Sequence, residues 1–595
     1  MSDTHFLLLL RRFWKQISHR RRIQLGALTG LMLVGTVAEL LSLGMVLPFL
    51  GALTAPARVF ANPWASPLVR GLGLTTPQQL LLPLTLLFGV AAALSGVLRL
   101  ALVWCQTYLA NAIGVDLGTQ AYRRTLYQPY SVHTSRNTSE LISALMTKIN
   151  TIVYFIIIPV LTMVTSALVV LTVLAFMMYV DARLTGEISV AFGGLYLLVA
   201  YLTKRQLAVD GRRVTQGQNH VAQVVQEGLG GIREVLLDSL QEVYYRILER
   251  ADRQMRRALS YITFMQTAPR PVIESFGLIL IGMLAYSMST RRGGMTEALP
   301  VLGALALAAQ RLLPLIQQGY AGWTAVLGGQ ASLGDVLDLL EQPLPAHSGL
   351  PPPQPLPFRQ QISVHGLHFR YQSDGPWVLR GVDLHIPRGT CIGFIGATGS
   401  GKSTLLDLVM GLLNPTTGTL RIDGIALNES NQRAWQVHIA HVPQVIYLAD
   451  TTIAENIAFG ARVEDIDRVR VRQAAERAQI ADTIEAWAHG YDTVVGERGI
   501  RLSGGQRQRI GIARALYKQT DVIVFDEATS ALDDVTERAV IDAVDSLGTD
   551  LTILMVAHRL STLKNCDQLV ELREGIIQRI GTYRDLIEPS LQVRT

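Results

Sequence analysis

Gly396-Ala-Thr-Gly-Ser-Gly-Lys402-Ser403 is a glycine-rich run that ends in a lysine and a hydroxyl residue, and it decides half of the fold. Gly396, Gly399 and Gly401 let backbone N–H groups curl around phosphate oxygens. Lys402 can reach the β- and γ-phosphates, and the Ser403 hydroxyl can ligate Mg²⁺. Ala397, Thr398, Ser400 and Thr404 complete the cradle. The flanks carry the pattern this loop requires. Ile392-Gly-Phe-Ile395 reads as a buried strand, and Ser403 to Met410 as a helix whose N-terminal dipole points at the phosphates. A glycine-rich turn with an incidental lysine would lack that setting. Strand, phosphate loop and helix in this order predict an α/β nucleotide-binding domain.

A second stretch, Leu502-Ser503-Gly504-Gly505-Gln506, is followed closely by Asp521-Val-Ile-Val-Phe-Asp526-Glu527-Ala-Thr-Ser530-Ala-Leu-Asp533. With the first run, these motifs resemble the nucleotide-binding domain of ATP-binding-cassette (ABC) proteins, from about Gln361 onward. The resemblance implies ATP and Mg²⁺ as cofactors and assigns roles by position. Asp526 matches the Mg²⁺-linked aspartate, and Glu527 the residue that polarises the attacking water. Of the twelve histidines, only His558, in Val556-Ala-His558-Arg559, matches the position that contacts the γ-phosphate. Tyr371 stands where relatives place the aromatic that stacks on adenine, although a lone aromatic is more often core. Gln444, in Val442-Pro443-Gln444, matches the glutamine that senses Mg²⁺ and water, and Asp533 joins the nucleotide-binding set. Glu497 lies in the loop that faces the coupling helices in exporters. Ser503, Gly504, Gly505 and Gln506 open a helix that can hold a γ-phosphate, and in the family they complete the site of the opposite subunit. One chain then holds two half-sites, and with every motif intact the expected partner is a second identical subunit.

The rest of the chain is of another kind. Of 595 residues, 49% are apolar and 17% charged, and the apolar excess lies in the N-terminal half. Six stretches, near 23 to 53, 80 to 110, 152 to 180, 184 to 203, 262 to 287 and 295 to 328, are long enough for a hydrocarbon core that takes roughly 20 helical residues to cross. The first is too long for a signal peptide and lacks a small-residue cleavage site. Arg11, Arg12, Lys15, Arg20, Arg21 and Arg22 before span one, and Lys204, Arg205, Arg212, Arg213, Arg253, Arg256 and Arg257 after span four, place those ends in the cytoplasm. Arg291 and Arg292 run mildly against this pattern. The expected location is the bacterial cytoplasmic (inner) membrane, with the ATPase on the cytoplasmic side. The connections near 111 to 150 and 204 to 261 are helix-rich and polar, broken at Gln128-Pro129-Tyr130 and Gly228-Leu-Gly230-Gly231. They predict helices that continue into the cytosol; by the exporter resemblance, the breaks hold coupling helices, with plain helical hairpins as the alternative.

Pro343 to Pro357 is proline-rich and marks the boundary, since such a run is extended. The expected domains are 1–342, transmembrane; 343–357, linker; and 358–595, nucleotide-binding. The fold class is therefore a polytopic α-helical membrane domain followed by an α/β P-loop ATPase. The net charge of +6 is scattered through loops without a basic module, so no nucleic-acid partner is expected. Cys105, Cys391 and Cys566 are far apart in sequence and are read as buried thiols, with neither a disulfide framework nor a zinc site.

Charge within the apolar stretches bears on what crosses. Glu39, Arg99, Arg270, Glu274 and Arg311 all fall there, where an arginine costs roughly 2.5–3.5 kcal/mol on insertion scales. Arg270 and Glu274 stand at i,i+4 and could form a structural ion pair. Arg99 and Arg311 have no acid at i±3 or i±4, which favours an aqueous cavity that receives an anion. Ser66 to Leu74 could form a short amphipathic helix at the outer surface. The segments Val37 to Phe49, Ala268 to Glu274 and Gln310 to Pro314 resemble those of bacterial lipid-linked oligosaccharide flippases. That resemblance implies an amphipathic, polyprenyl-pyrophosphate-linked glycan as substrate, with membrane lipids around it; by their charge within the spans, Glu39, Arg99, Arg270 and Arg311 are the candidates to bind it. An exporter of peptides or hydrophobic drugs is the alternative. Many peptide exporters carry an N-terminal protease domain, and only about twenty residues precede span one here, so the peptide reading is expected to be the weaker one. An ATP-gated channel or regulator is a third reading, disfavoured by the intact hydrolytic residues.

Overall fold

The computed structural model describes residues 3–54, 56–61, 70–71, 73–180, 182–289, 294–351, 353–527, 537–538, 551–556 and 559–587. The chain divides into two compact units. One comprises Met1–Gln128 with Arg136–Pro345; the other comprises Pro129–Ser135 with Ala346–Thr595.

The first unit is helical. Its long helices are α1 (Asp3–Gln16), α2 (His19–Thr54), α3 (Leu81–Leu126), α4 (Ile158–Val180), α5 (Ala182–Gly230), α6 (Gln241–Thr267), α7 (Pro269–Ser289) and α8 (Gly294–Leu340). Among the described residues, His19–Ser42, Pro77–Leu126 and Thr138–Met178 are helical, long and apolar enough to cross a membrane. With 46 and 49 residues, α3 and α5 are each about 70 Å long at 1.5 Å per residue, more than twice a hydrocarbon core of ~30 Å. Each must therefore continue well beyond the bilayer as a polar helix.

Two local features depart from the sequence expectations. The amphipathic α1 precedes the first span; it buries Leu9 and Phe13, one helical turn apart, in the same cluster as Ile17, Met32, Leu109 and Leu333. Arg12 ties it to the end of α8 through Asp338 (2.8 Å) and Glu341 (2.7 Å). The stretch 262–287 is not one helix: α6 stops at Thr267 and α7 restarts at Pro269, because Pro269 and Pro271 cannot donate the backbone N–H groups a continuous helix needs. Most of the stretch from Ser66 to Leu74, read as an outer helix, lies outside the described residues.

Polar and small residues fix how the long helices meet. A Cβ on Gly211 of α5 would stand 2.6 Å from the Gly328 carbonyl oxygen of α8, so the two backbones touch where only glycine fits. Thr215 and Ser332 share a hydrogen bond (3.0 Å) one turn further on, and buried Lys148 pairs with Asp335 (2.5 Å). The helix breaks carry short helices: Tyr130–Ser135 at the first and Ile232–Leu237 at the second.

The second unit contains two sheets. The first is antiparallel, ordered β2-β1-β4-β5, from β1 (Gln361–Phe369), β2 (Leu379–Pro387), β4 (Thr417–Ile422) and β5 (Ile425–Ala426). The second is ordered β10-β9-β3-β8-β7-β6, from β3 (Cys391–Ile395), β6 (Ile439–Val442), β7 (Val522–Asp526), β8 (Thr552–Val556), β9 (Gln568–Arg573) and β10 (Ile576–Gly581). Five of its strands are parallel and β10 is antiparallel to β9. Strands β7 and β8 are buried almost throughout, as expected for apolar runs covered on both faces. Helix α9 (Lys402–Val409) follows β3, and α10 (Gly504–Lys518) precedes β7. The end of the proline-rich run is pinned to this unit, not free: Leu356 donates its N–H to Ala434 (3.2 Å), its carbonyl lies 2.7 Å from His438 Nε2, and Phe358 is buried.

Candidate ATP site

Open parallel sheets bind ligands beyond the carboxyl ends of their strands. Here β3, β6 and β7 end in the three segments singled out by sequence. After β3 the chain enters the glycine-rich loop, where two glycines are required by geometry. Gly396 has φ +150° and a Cβ there would collide with the Leu572 carbonyl; Gly401 has φ +101° and a Cβ would press on Leu379 and the Val378 carbonyl. Gly399, also at positive φ, faces open space. The loop thus turns tightly against its own sheet with its other side clear.

The residues fit a triphosphate with Mg²⁺. Ser400 Oγ is buried without a hydrogen-bond partner among the described residues. Lys402 Nζ folds back onto the carbonyl oxygens of Gly396 (2.8 Å) and Ala397 (3.0 Å), so its ammonium stands at the mouth of the loop. Ser403 Oγ donates to Asp526 Oδ1 (3.3 Å), which places two of the three expected Mg²⁺ residues side by side. Hard cations take such oxygen ligands. Ala397 and Thr398 form the arc of the loop, and Thr404 lies one step along α9, where its hydroxyl shares a hydrogen bond with Tyr371 (3.2 Å). The Tyr371 ring is half exposed and edge-on to Phe369, with centroids 4.9 Å apart. It is a ring held at the rim, available for stacking, and not a core aromatic.

The end of β7 supplies the two carboxylates singled out by sequence, Asp526 and Glu527. Glu527 has φ +54°, a left-handed conformation that a non-glycine residue adopts at a cost, held by its N–H to the Val556 carbonyl (2.9 Å). Gln444, just past β6, donates from Nε2 to Glu527 Oε2 at 2.5 Å. Adjacency of β6 and β7 in the sheet makes that contact possible. Gln444, Asp526 and Ser403 therefore converge beside Glu527.

Two titratable groups that the sequence reading passed over lie under this cluster. Burial pushes the Asp407 carboxyl of α9 up to about 6, with Asp526 adding to the rise. Burial likewise raises Asp526, aided by Glu527 and opposed by Ser403, His441 and Lys402. Burial lowers His441, which Asp526 opposes. The signal for Asp407 was present as one acid in the apolar run Leu405-Leu406-Asp407-Leu408-Val409. A cation at Asp526 would offset the crowding of negative charge.

The signature opens α10, the helix that precedes β7. Ser503 caps α10: its Oγ accepts from the Gln506 N–H (3.2 Å) while its N–H donates to Gln506 Oε1 (2.8 Å). With Gly504 and Gly505 in the first turn, the helix presents N–H groups and a positive dipole end. His558 and Asp533 lie outside the described residues.

Of the substrate candidates in the helical unit, Arg99 is exposed on α3 and has no partner among the described residues. Arg270 Nε donates to Glu274 Oε1 (2.7 Å), so that pair forms as the i,i+4 spacing allows. Glu39 is half-buried on α2. The Arg311 side chain lies outside the described residues.

A phosphate loop, carboxylates at a neighbouring strand end, a capped signature helix and a unit of membrane-length helices define an ATPase coupled to a membrane domain. Residues 35–296 match the ABC transporter transmembrane region and residues 379–530 the ABC transporter ATPase family. The chain is 30% identical to an ATP-dependent lipid A-core flippase of Ralstonia nicotianae over 84% of each chain. A protein of the same name from Cupriavidus pinatubonensis is 31% identical over 91% of this chain and 92% of its own. One from Chromohalobacter salexigens is 33% identical over 71% and 72%. A bacterial Atm1-family ABC exporter with ATP bound has the same fold, with a TM-score of 0.77 over 96% of both chains at 21% identity. The chain belongs to the ABC transporter family, as an ATP-hydrolysing exporter-type half-transporter.

Proposed function

We propose that two copies of this chain form an ATP-driven flippase for an anionic glycolipid in the bacterial inner membrane, with the ATPase units in the cytoplasm and Mg²⁺ at Ser403, Gln444 and Asp526. One observation carries the substrate class: relatives named lipid A-core flippases align with most of this chain, helical unit included. Arg99 supports it, since an exposed, unpartnered guanidinium on a spanning helix suits a phosphate-bearing headgroup. A lipid A-core type glycolipid is the first reading. A polyprenyl-pyrophosphate-linked oligosaccharide is the second, favoured by the proline- and arginine-bearing segments Ala268 to Glu274 and Gln310 to Pro314.

The experiment is ATP hydrolysis and lipid translocation by purified protein in liposomes doped with either glycolipid, or with peptide or drug cargo. Stimulation by a glycolipid supports the reading and chooses between its two forms. Stimulation by peptides or drugs alone overturns it. The dimer rests on the motif count: the chain carries one phosphate loop and one signature, which in relatives serve different nucleotides. Lys402→Ala and Ser503→Arg subunits should each be inactive alone and regain hydrolysis when mixed, because one of the two shared sites is then undamaged. A monomer with full activity would refute it.

A further inference from the structure

Two of the three cysteines, expected to be remote buried thiols, meet. Cys391 Sγ and Cys566 Sγ lie 2.7 Å apart although 175 positions separate them in sequence. That is far closer than non-bonded sulfurs rest and somewhat longer than the 2.03–2.05 Å of a formed S–S bond. The approach is built into the sheet. β3 and β9 pair in parallel with Ile392 opposite Gln568, so Cys391, the first residue of β3, falls beside Asp567 and Cys566, which lead into β9. Asp567 latches them twice: its carboxylate accepts the Cys391 N–H (2.8 Å), and its own N–H donates to the Cys391 carbonyl (2.9 Å). Cys566 is buried, whereas Cys391 is partly exposed, so a small reagent reaches the pair from the Cys391 side.

We propose that Cys391 and Cys566 form a reversible disulfide site in the ATPase unit, closed by hydrogen peroxide. The Cys391 thiolate attacks one peroxide oxygen; the O–O bond breaks, Cys391 becomes a sulfenic acid, and the departing oxygen takes a proton to leave as water. The Cys566 sulfur then attacks the Cys391 sulfur. The S–S bond forms, the S–O bond breaks, and the leaving hydroxide takes the Cys566 proton as a second water. In sum, two thiols and one peroxide give one disulfide and two waters, with two electrons passing from sulfur to the O–O bond. A dithiol reductant reverses it by exchange. The staple sits at the start of β3, the strand whose other end runs into Gly396 and the phosphate loop. In a reducing compartment such a pair is transient and redox-sensing, not a structural bridge.

The test uses the full-length protein, purified without reductant, treated with hydrogen peroxide, quenched and unfolded for thiol titration. Reactive thiols should fall from three to one, the survivor being Cys105. Non-reducing peptide mapping should find the Cys391 and Cys566 peptides joined and lighter by two hydrogens, and dithiothreitol should restore all three thiols. In Cys566→Ala the sulfenic acid has no resolving partner, so Cys391 should be trapped by dimedone, while the wild type gives little adduct. Retention of three thiols in the wild type, a dimedone adduct on Cys391 without the cross-link, or cross-linking between chains through Cys105 would each overturn the proposal.

Discussion

The ATPase unit and the helical unit are held together by opposite means. In the ATPase unit, single polar side chains organise whole segments. Asn456, fully buried, donates to Ala449, Thr451 and Thr452 and accepts from Ala449 and Arg514; buried Trp435 donates to the Val409 carbonyl at 2.7 Å. In the helical unit polar contacts such as Gln106 to Thr165 (2.7 Å), Thr215 to Ser332 and Lys148 to Asp335 join helices pairwise, at points along faces that are mostly apolar. Hydrogen bonds demand particular atoms at particular places, whereas apolar packing demands only volume and shape. A unit of the first kind writes its chemistry into its sequence; one of the second kind writes mainly its outline.

The sharpest test of that contrast is Glu527→Gln. The carboxylate is replaced by an amide of the same shape, so the left-handed turn and the contact with Gln444 can persist while the water-polarising charge is lost. Turnover should fall by roughly 10²- to 10⁴-fold with ATP binding retained, measured by single-turnover hydrolysis beside nucleotide-binding titration. Near wild-type hydrolysis would remove Glu527 from its assigned role.

Gly211→Val asks the matching question of the helical unit. The added side chain meets the Gly328 backbone, which cannot swing aside as a flexible side chain would. Overpacking of this kind costs roughly 1–3 kcal/mol, so thermal unfolding in detergent should shift down while nucleotide affinity of the surviving folded protein stays unchanged. Loss of nucleotide affinity in that folded fraction would show that the two kinds of organisation are not separable.

Arg99→Ala should leave basal hydrolysis intact and lower glycolipid translocation by about tenfold, an effect near 1.4 kcal/mol, with lysine rescuing part because it keeps charge without the planar fork. Undiminished flipping by a well-folded variant would take the anion-binding role from Arg99.

What was legible in the sequence follows the same division. Gly396 to Ser403, Asp526 with Glu527, and Gln444 were readable because phosphate and metal chemistry tolerates few substitutes, and the strand ends bring them within 3.3 Å contacts or shorter. Helix α1 was missed although Leu9, Phe13 and Ile17 follow a helical spacing, because the arginines around it drew the reading toward orientation. The break at Ala268 was passed over although Gln266 to Pro271 is polar and holds two prolines, because the apolar runs on either side were read as one span. The meeting of Cys391 and Cys566 had no local signal, since it depends on strand order and not on spacing. Cargo identity stayed open for a physical reason: Arg99, Arg270 and Glu39 stand on helices whose packing would accept many other residues.

The smallest predicted effect concerns the point where the proline-rich run joins the ATPase unit. Asp423, in the turn between β4 and β5 at φ +46°, accepts three successive backbone N–H groups: Arg359 (2.5 Å), Gln360 (2.9 Å) and Gln361 (2.8 Å). Burial alone would raise this carboxyl, but the three donors outweigh it, with Arg388 assisting, and hold it below its ordinary value. A carboxyl depressed in the folded state binds fewer protons there than in the unfolded chain. Its contribution is therefore present above the unfolded value of about 3.9 and is lost as pH falls through and below it. Because the group is partly exposed, screening limits the effect to about 1 kcal/mol. Asp423→Ala should lower the unfolding temperature of the full-length protein modestly at pH 7, with the gap to wild type narrowing toward pH 3; Asp423→Asn, which keeps one acceptor oxygen, should fall between. A gap that stays constant across that range would mean that the side chain acts through shape and not charge, and would move this junction to the helical unit's side of the comparison.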